Sequence, residues 1–190
     1  MAFSEVEKKN IRERLLTNCE ESWSTFGYKK TSVDELCQKA GISKGSFYLF
    51  FDSKEDLFCQ VMIRVQERLI AITKNSLGEK PTKYDLANTL KLVFREYSKV
   101  PFITETQSPD FVMFINRLSP DKLKELEEHG NYDIQDIIRE SGLVYRVEEQ
   151  KGLASLALIF RPIGASQQLP WEYLDVFDFV LDTLIEKIFE

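Results

Sequence analysis

A helix-start signal that recurs along this chain constrains its fold more than any other feature. Ser4-Glu5-Val6-Glu7 sets a capping serine three residues ahead of a glutamate, and Ser32-Val33-Asp34-Glu35 repeats the arrangement. In such a pair the hydroxyl accepts from the third backbone N–H of the helix and the carboxylate reaches back to the cap, satisfying two orphan donors. Ser43 and Ser53 begin further helices, the second with Asp56 at its third position. Ser108-Pro109 and Ser119-Pro120 put proline in the first turn, where a helix tolerates it. No alternating apolar and polar run is long enough to read as a strand. The expectation is an all-α protein of about nine helices, counted from these starts and the glycine stops between them.

Apolar spacing gives the extents. Ile11, Leu15, Cys19, Trp23 and Phe26 recur at helical intervals and form the core face of a first helix that Gly27 ends. A short second helix runs to Ala40, and a third covers Lys44 to Phe50. A fourth leads from Lys54 through Leu57, Val61 and Leu69 toward Asn75. Gly78 and Pro81 break the pattern, and a fifth helix, from Thr82 to Ser98, stops at Pro101. Gly130 and Gly142 punctuate the next helical stretch, and the last two helices span Glu148 to Arg161 and Pro170 to Phe189. The expected division is a head at residues 1–53, a connecting fourth helix at 54–75 and a body at 76–190.

Composition removes several classes of function. The chain has 190 residues, 43% of them hydrophobic and 29% charged, which suits a globular protein with a real core. Its longest apolar run, Leu153 to Phe160, is far short of the ~18 residues of a membrane span. Met1-Ala2-Phe3-Ser4-Glu5 turns charged at once and lacks the apolar segment of a signal peptide, so the expected location is the cytoplasm. Cys19, Cys37 and Cys59 form no C-x-x-C pair, and His129 is the single histidine, so no metal or cofactor is expected. The thiols read as buried and reduced, with a redox-sensing thiol as the alternative. An enzyme is not expected. There is no P-loop, since Ser43-Lys44-Gly45-Ser46 has the wrong order, and neither G-x-S-x-G nor H-E-x-x-H occurs.

The segment from Thr31 to Leu57 is the informative one. Two short helices meet at a turn containing Gly41, with Leu36, Ile42 and Phe47 to fix their crossing and Cys37 small enough to permit it. This is the helix-turn-helix pattern, whose second helix enters the major groove. Lys44, Gly45 and Ser46 open that second helix. Lys44 can donate to guanine O6 and N7, Gly45 lets the backbone approach closely, and Ser46 can donate or accept. Tyr48 can reach a phosphate one turn later, as can Thr31 and Ser32 at the start of the preceding helix and Lys54 at the start of the next. The net charge of −6 argues the other way, and the first 60 residues hold 9 Lys and Arg against 10 Asp and Glu. Local placement decides binding, however, and Lys29, Lys30, Lys44 and Lys54 bracket the two helix starts.

Thr31-Ser32-Val33-Asp34-Glu35-Leu36 and the run from Gly41-Ile42-Ser43-Lys44-Gly45-Ser46-Phe47-Tyr48 to Asp56-Leu57 resemble the signature of the TetR/AcrR family of transcriptional regulators. The resemblance covers about the first third of the chain. It implies that Lys44, Gly45, Ser46, Tyr48 and Leu49 face bases or nearby phosphates and that Thr31, Ser32 and Lys54 hold the DNA backbone. Two positions depart from the family. Phe50 carries no donor where a polar aromatic or histidine is frequent, and Asp34 stands where a basic residue is common.

The body reads as a dimerisation and effector module. Its last helix is apolar on more than one face, so a second subunit is the simplest partner for the outer side. The expected interface comprises Ala154, Ala157, Phe177, Val180, Leu181, Leu184 and Ile188, with Gly152 and Ser155 allowing close approach. The resemblance also implies an effector pocket between the fifth and eighth helices. Phe94, Tyr97, Phe111, Phe114, Ile115, Ile138 and Phe160 are its candidate lining, which suits a lipophilic or aromatic small molecule; ordinary core is the other reading of each. Arg95, Arg117 and Arg161 could meet an anionic ligand or a carboxylate of the chain itself. The function expected is a homodimeric repressor released from a palindromic operator in double-stranded DNA by that effector. The alternative is a helical adaptor of the same fold with weak or lost DNA binding.

Overall fold

The serine caps form in three dimensions, but of the two expected boxes only that at Ser4 closes: Ser32 accepts from Glu35 N at 3.4 Å without the return bond from Glu35. In the computed structural model, which describes residues 3–129, 133–160 and 172–190, Ser4 and Glu7 form the reciprocal capping box of helix α1 (Glu5–Lys30). Ser32 caps α2 (Val33–Ala40), Ser43 caps α3 (Lys44–Phe47), and the Ser53 hydroxyl accepts from Asp56 N at 3.0 Å in the first turn of α4 (Lys54–Leu77). Thr82 and Asp85 box the start of α5 (Lys83–Tyr97). Then come α6 (Pro101–Thr104), α7 (Pro109–Ile115) and α8 (Pro120–His129). Asp133 caps α9 (Ile134–Ser141), which Gly142 closes in the left-handed conformation, and α10 (Glu149–Ile159) and α11 (Tyr173–Ile188) complete the series. Among the described residues there is no strand, only an isolated antiparallel bridge between Tyr145 and Phe189. The expected ends at Arg161 and Pro170 lie outside the described residues, as do Gly130 and any ligand role of Arg161.

Two local expectations change. The third helix is α-helical only from Lys44 to Phe47; Leu49 N and Phe50 N then bond back three residues, to Ser46 O at 3.1 Å and Phe47 O at 2.9 Å, so the segment tightens into turns. Phe26 does not extend the core face of α1 and is 58% exposed. Gly27, at φ 83° and ψ 169°, breaks the helix immediately after it and rotates the chain so that Tyr28 is buried instead.

The packing divides the chain along a different line from the expected boundaries at 53–54 and 75–76. One compact unit comprises Met1–Gln66 with Val100–Asn131, and the other comprises Glu67–Lys99 with Tyr132–Glu190. The reason in the first unit is that α6 and α7 pack on α1. Trp23 of α1 stacks on Phe102 of α6, with 3.9 Å between centroids and 5° between planes, with Phe58 tilted against it and Phe114 edge-on. A head of three helices alone leaves that aromatic face bare, and burying such rings contributes several kcal/mol, on the order of 1.5–3 for each large side chain.

In the second unit α5 packs on α11, with Phe94 stacked on Phe177 and Phe160 set edge-on to both. Asp178, Asp182 and Glu186 recur every fourth residue of α11 and form one face of it. They pair with Arg95 at 2.6 Å, Lys91 at 2.7 Å and Lys83 at 2.8 Å, so the two antiparallel helices are pinned in register. Gly152 lets α10 close on this unit: a Cβ there would stand 3.0 Å from both Ile188 Cγ2 and Tyr145 Cε1. No described helix is long and apolar enough to cross a membrane.

Candidate nucleic-acid interface

The helix-turn-helix is built by burial on one side and bareness on the other. Leu36, Cys37 and Ala40 of α2 and Phe47 of α3 are buried and set the crossing of the two helices. Gly41, at φ 75°, turns the chain between them, and its N–H bonds back to Gln38 O at 3.1 Å. The outer side is a short surface of Lys44, Gly45, Tyr48 and Leu49, all exposed, with Ser32 and Ser46 half-buried beside it. Tyr48 and Leu49, at 58% and 71% exposure, are large side chains that the protein's own core leaves unused. Ser46 shares its hydroxyl with Ser43 at 2.9 Å.

Two expected backbone contacts are engaged elsewhere. Thr31 is buried, and its hydroxyl donates to Gly27 O at 2.8 Å, so it closes the broken end of α1 and does not present to a phosphate. Lys54 is drawn inward as well. Its ammonium donates to Tyr28 O at 2.6 Å and sits 4.2 Å from the centre of the Tyr28 ring, and burial pushes its pKa down from the ordinary lysine value. Each side chain has a polar main-chain group within reach that a charge or hydroxyl near a buried helix end satisfies better than solvent does.

Lys54 is one arm of a larger clamp on Tyr28. The Asp110 carboxylate of α7 accepts from Tyr28 N and, at 2.9 Å, from Lys29 N. The Tyr28 hydroxyl donates to Glu55, and Arg117 lies 3.4 Å from that oxygen and 4.0 Å from the Glu55 carboxylate. Burial first, then the bond to Glu55, pushes the Tyr28 phenol up to about 12. Arg117 therefore serves the chain's own carboxylate, as does Arg95 with Asp178. The link between Asp110 and Tyr28 is not readable in the sequence, because nothing local ties residues 82 apart. The one available signal is Gly27 directly before an aromatic residue.

A second clamp lies at the start of α4. Lys122 of α8 bridges Asp56 at 2.6 Å and Glu125 at 2.8 Å, and Gln60 donates to Glu125 at 2.7 Å. The Lys122 bond holds the Glu125 carboxyl below the ordinary glutamate value, against the opposing effect of burial. A carboxylate whose folded pKa is depressed stabilises above its unfolded value, and that contribution is lost as pH falls through the folded one. Urea denaturation at about pH 7 and about pH 3, the second well below the ordinary glutamate value of about 4.3, checks this. Glu125→Gln is expected to lose stability at neutral pH and to lose less than the wild type on acidification; an unchanged acid response removes the role assigned to this bridge.

The seven candidate pocket residues do not share a unit. Phe111, Phe114 and Ile115 of α7 belong to the first, where Phe114 packs against Trp23 and Tyr28. Phe94, Tyr97, Ile138 and Phe160 belong to the second, where Phe94 and Phe160 meet Phe177. Phe94, Phe111 and Phe114 are buried in the cores of their own units, whereas Tyr97 and Phe160 are half-buried. The expected dimer residues also separate. Phe177, Leu181 and Ile188 are buried within their unit, Val180 and Leu184 are half-buried, and Ala154 and Ala157 are exposed. Phe179 of α11 and Leu158 of α10, at 72% and 65%, are the exposed large apolar side chains of these two helices. Cys19, Cys37 and Cys59 are free and buried; burial raises all three thiols, Cys59 to about 11, which opposes thiolate reactivity. No group of metal-ligating side chains occurs among the described residues.

Residues 15–61, the stretch holding α2, α3 and both clamps' α4 arms, match the family model of the bacterial regulatory proteins of the tetR family. The PfmR TetR family transcriptional regulator of Thermus thermophilus has the same fold, with a TM-score of 0.63 at 22% identity over 91% of this chain and 97% of that one. Residues 15–61 thus carry the N-terminal DNA-binding region typical of the tetR family. Likeness to known proteins extends beyond those residues. The nucleoid occlusion factor SlmA of Vibrio vulnificus is 27% identical over 149 residues, 75% of this chain and 76% of that one. The fold is also that of the transcriptional regulator FadR of Bacillus subtilis, solved in complex with stearoyl-CoA, with a TM-score of 0.62 at 16% identity over 93% of this chain and 98% of that one.

Proposed function

We propose that this protein is a homodimeric TetR-family repressor that reads a palindromic operator and is released by a lipophilic or aromatic small molecule. The observation that carries the DNA-binding part is the surface of α3: Lys44, Gly45, Tyr48 and Leu49 stand bare on a helix whose other side is locked by Phe47. Placed twice by a two-fold axis, about 34 Å apart, two such surfaces match successive major grooves. Phe179 and Leu158 supply the apolar surface for the second copy. FadR, in its complex with stearoyl-CoA, supports the effector class, since that fold holds a lipophilic ligand. The effector acts by shifting populations between a DNA-competent and a DNA-incompetent state; moving from 1:99 to 99:1 takes ~5.5 kcal/mol of differential binding.

A salt series on a duplex selected from random sequence tests the DNA reading. Phosphate contacts predict a steep fall in affinity with salt. Lys44→Ala weakens recognition of one base by about 1–3 kcal/mol. Lys54→Gln leaves the slope alone and lowers thermal stability, because its ammonium holds Tyr28 O. A protein that selects no duplex at any salt concentration is instead an adaptor of the same fold. Stearoyl-CoA added to the selected complex is expected to release it, and retention of the duplex at saturation excludes that effector.

A further inference from the structure

The acidic departure at Asp34 has a partner. The Asp34 carboxylate lies 2.8 Å from the ammonium of Lys44, across the turn that joins α2 to α3. Both side chains are open to solvent, at 64% and 56%. Nothing in the fold requires the pair. Ser32, not Asp34, accepts the N–H that caps α2, and the crossing of the two helices is set by Leu36, Cys37, Ala40 and Phe47. An ion pair this exposed adds little to stability. Its place is on the surface that bears Tyr48 and Leu49, where a carboxylate opposes the approach of a polyanion. The bond to Asp34 also raises the pKa of Lys44, so the ammonium stays charged.

We propose that Asp34 is a specificity-determining residue that pins Lys44 for one guanine in each half-site and weakens binding to all other DNA; this rests on the DNA-binding function proposed above. The chemistry follows from donor counting. A lysine ammonium has three N–H donors and swings on a four-carbon stem. With one donor held by Asp34, the remaining two are directed, and guanine offers two adjacent acceptors in the major groove, O6 and N7. A base that lacks that pair leaves the ammonium without partners. Toward phosphates, meanwhile, the neutralised pair contributes no net charge, so a contact that serves any sequence equally is removed from the non-specific mode.

The test is selection from duplexes carrying a random core, by the wild type, Lys44→Ala, Asp34→Ala and Asp34→Asn, followed by affinity for an unrelated duplex across a salt series. The wild type is expected to enrich a motif with a dominant guanine in each half-site. Lys44→Ala and Asp34→Ala are expected to lose the preference at that one position and keep the rest. On the unrelated duplex, Asp34→Ala frees one cation for a phosphate. It should bind about eightfold tighter at about 0.1 M salt, with a slope steeper by about 0.9. Asp34→Asn keeps the size of the side chain and removes its charge, and is expected to show the same relaxation, which separates the effect from a folding defect. Retention of the full motif by both Asp34 variants overturns the proposal, as does a uniform gain on every duplex with the motif intact. If the wild type enriches no duplex, the DNA-binding function fails and this proposal with it. If the wild type enriches a motif that the Asp34 variants share, only the role of Asp34 fails.

Discussion

Gly27→Ala is expected to lower the melting temperature by at least about 10 °C, on a scale of about 2–4 °C per kcal/mol at this size. Gly27 sits at φ 83° and ψ 169°, a backbone region essentially confined to glycine, where another residue costs about 1–3 kcal/mol. The added methyl would also stand 2.7 Å from the Asp110 carboxylate oxygen that accepts from Tyr28 N. Moving that carboxylate away breaks its bonds to both Tyr28 N and Lys29 N, and charge-assisted bonds are worth about 1.5–3 kcal/mol each. Gly78→Ala is the control. Its φ of 72° also disfavours a side chain, but nothing lies within 4 Å of the new methyl, so only about 1–2 kcal/mol is expected. Asp110→Ala should cost part of the Gly27→Ala effect, and the double variant should cost less than the sum, because the clash and the lost caps share one carboxylate. Thermal unfolding followed by circular dichroism decides. Equal losses for Gly27→Ala and Gly78→Ala would show that the Asp110 contact contributes nothing.

Asp110 also marks where the sequence stops being legible. Helix starts are readable because a cap is a local event: Ser4 and Glu7, or Thr82 and Asp85, lie three residues apart and recognise each other whatever the rest of the chain does. The turn at Gly41 and the buried set Leu36, Cys37 and Phe47 are readable for the same reason. The division into units is not, because α6 and α7 join the head through contacts such as Trp23 with Phe102 that link residues far apart in the chain. Thr31 and Lys54 show the same failure at the interface. By type and position each suits a phosphate, yet each finds a nearer oxygen, Gly27 O and Tyr28 O, once Gly27 breaks the first helix. The polar residues that keep their exposed role, Lys44 and Tyr48, lie beyond the reach of that break.

For the operator-binding homodimer proposed above, replacing Leu158 and Phe179 together by glutamate is expected to abolish the dimer and to weaken DNA binding by at least about a hundredfold, the lower end of what a second tethered head supplies, while leaving the fold intact. The apolar pattern of α11 covers more than one face, but its members are not equivalent. Phe177, Leu181, Ile185 and Ile188 follow one another at helical spacing and are buried within their own unit, whereas Phe179 points away and is bare. Leu158 is the corresponding outward residue of α10, beside the exposed Ala154 and Ala157. Surface substitutions of this kind change stability by about ±0.5 kcal/mol, so the melting temperature of the monomer should barely move. Leu181→Glu, by contrast, puts a charge into the core formed with α5 and is expected to unfold the unit. The affinity loss follows from linkage. A dimer seats its second head at the effective concentration set by the first, which is worth ~10²–10⁴ in binding, and a monomer forfeits that gain without losing any contact of its own head. Light scattering gives the mass and a gel shift gives the affinity. A glutamate variant that remains dimeric would move the interface elsewhere, and one that becomes monomeric yet binds the palindrome undiminished would remove the need for two heads.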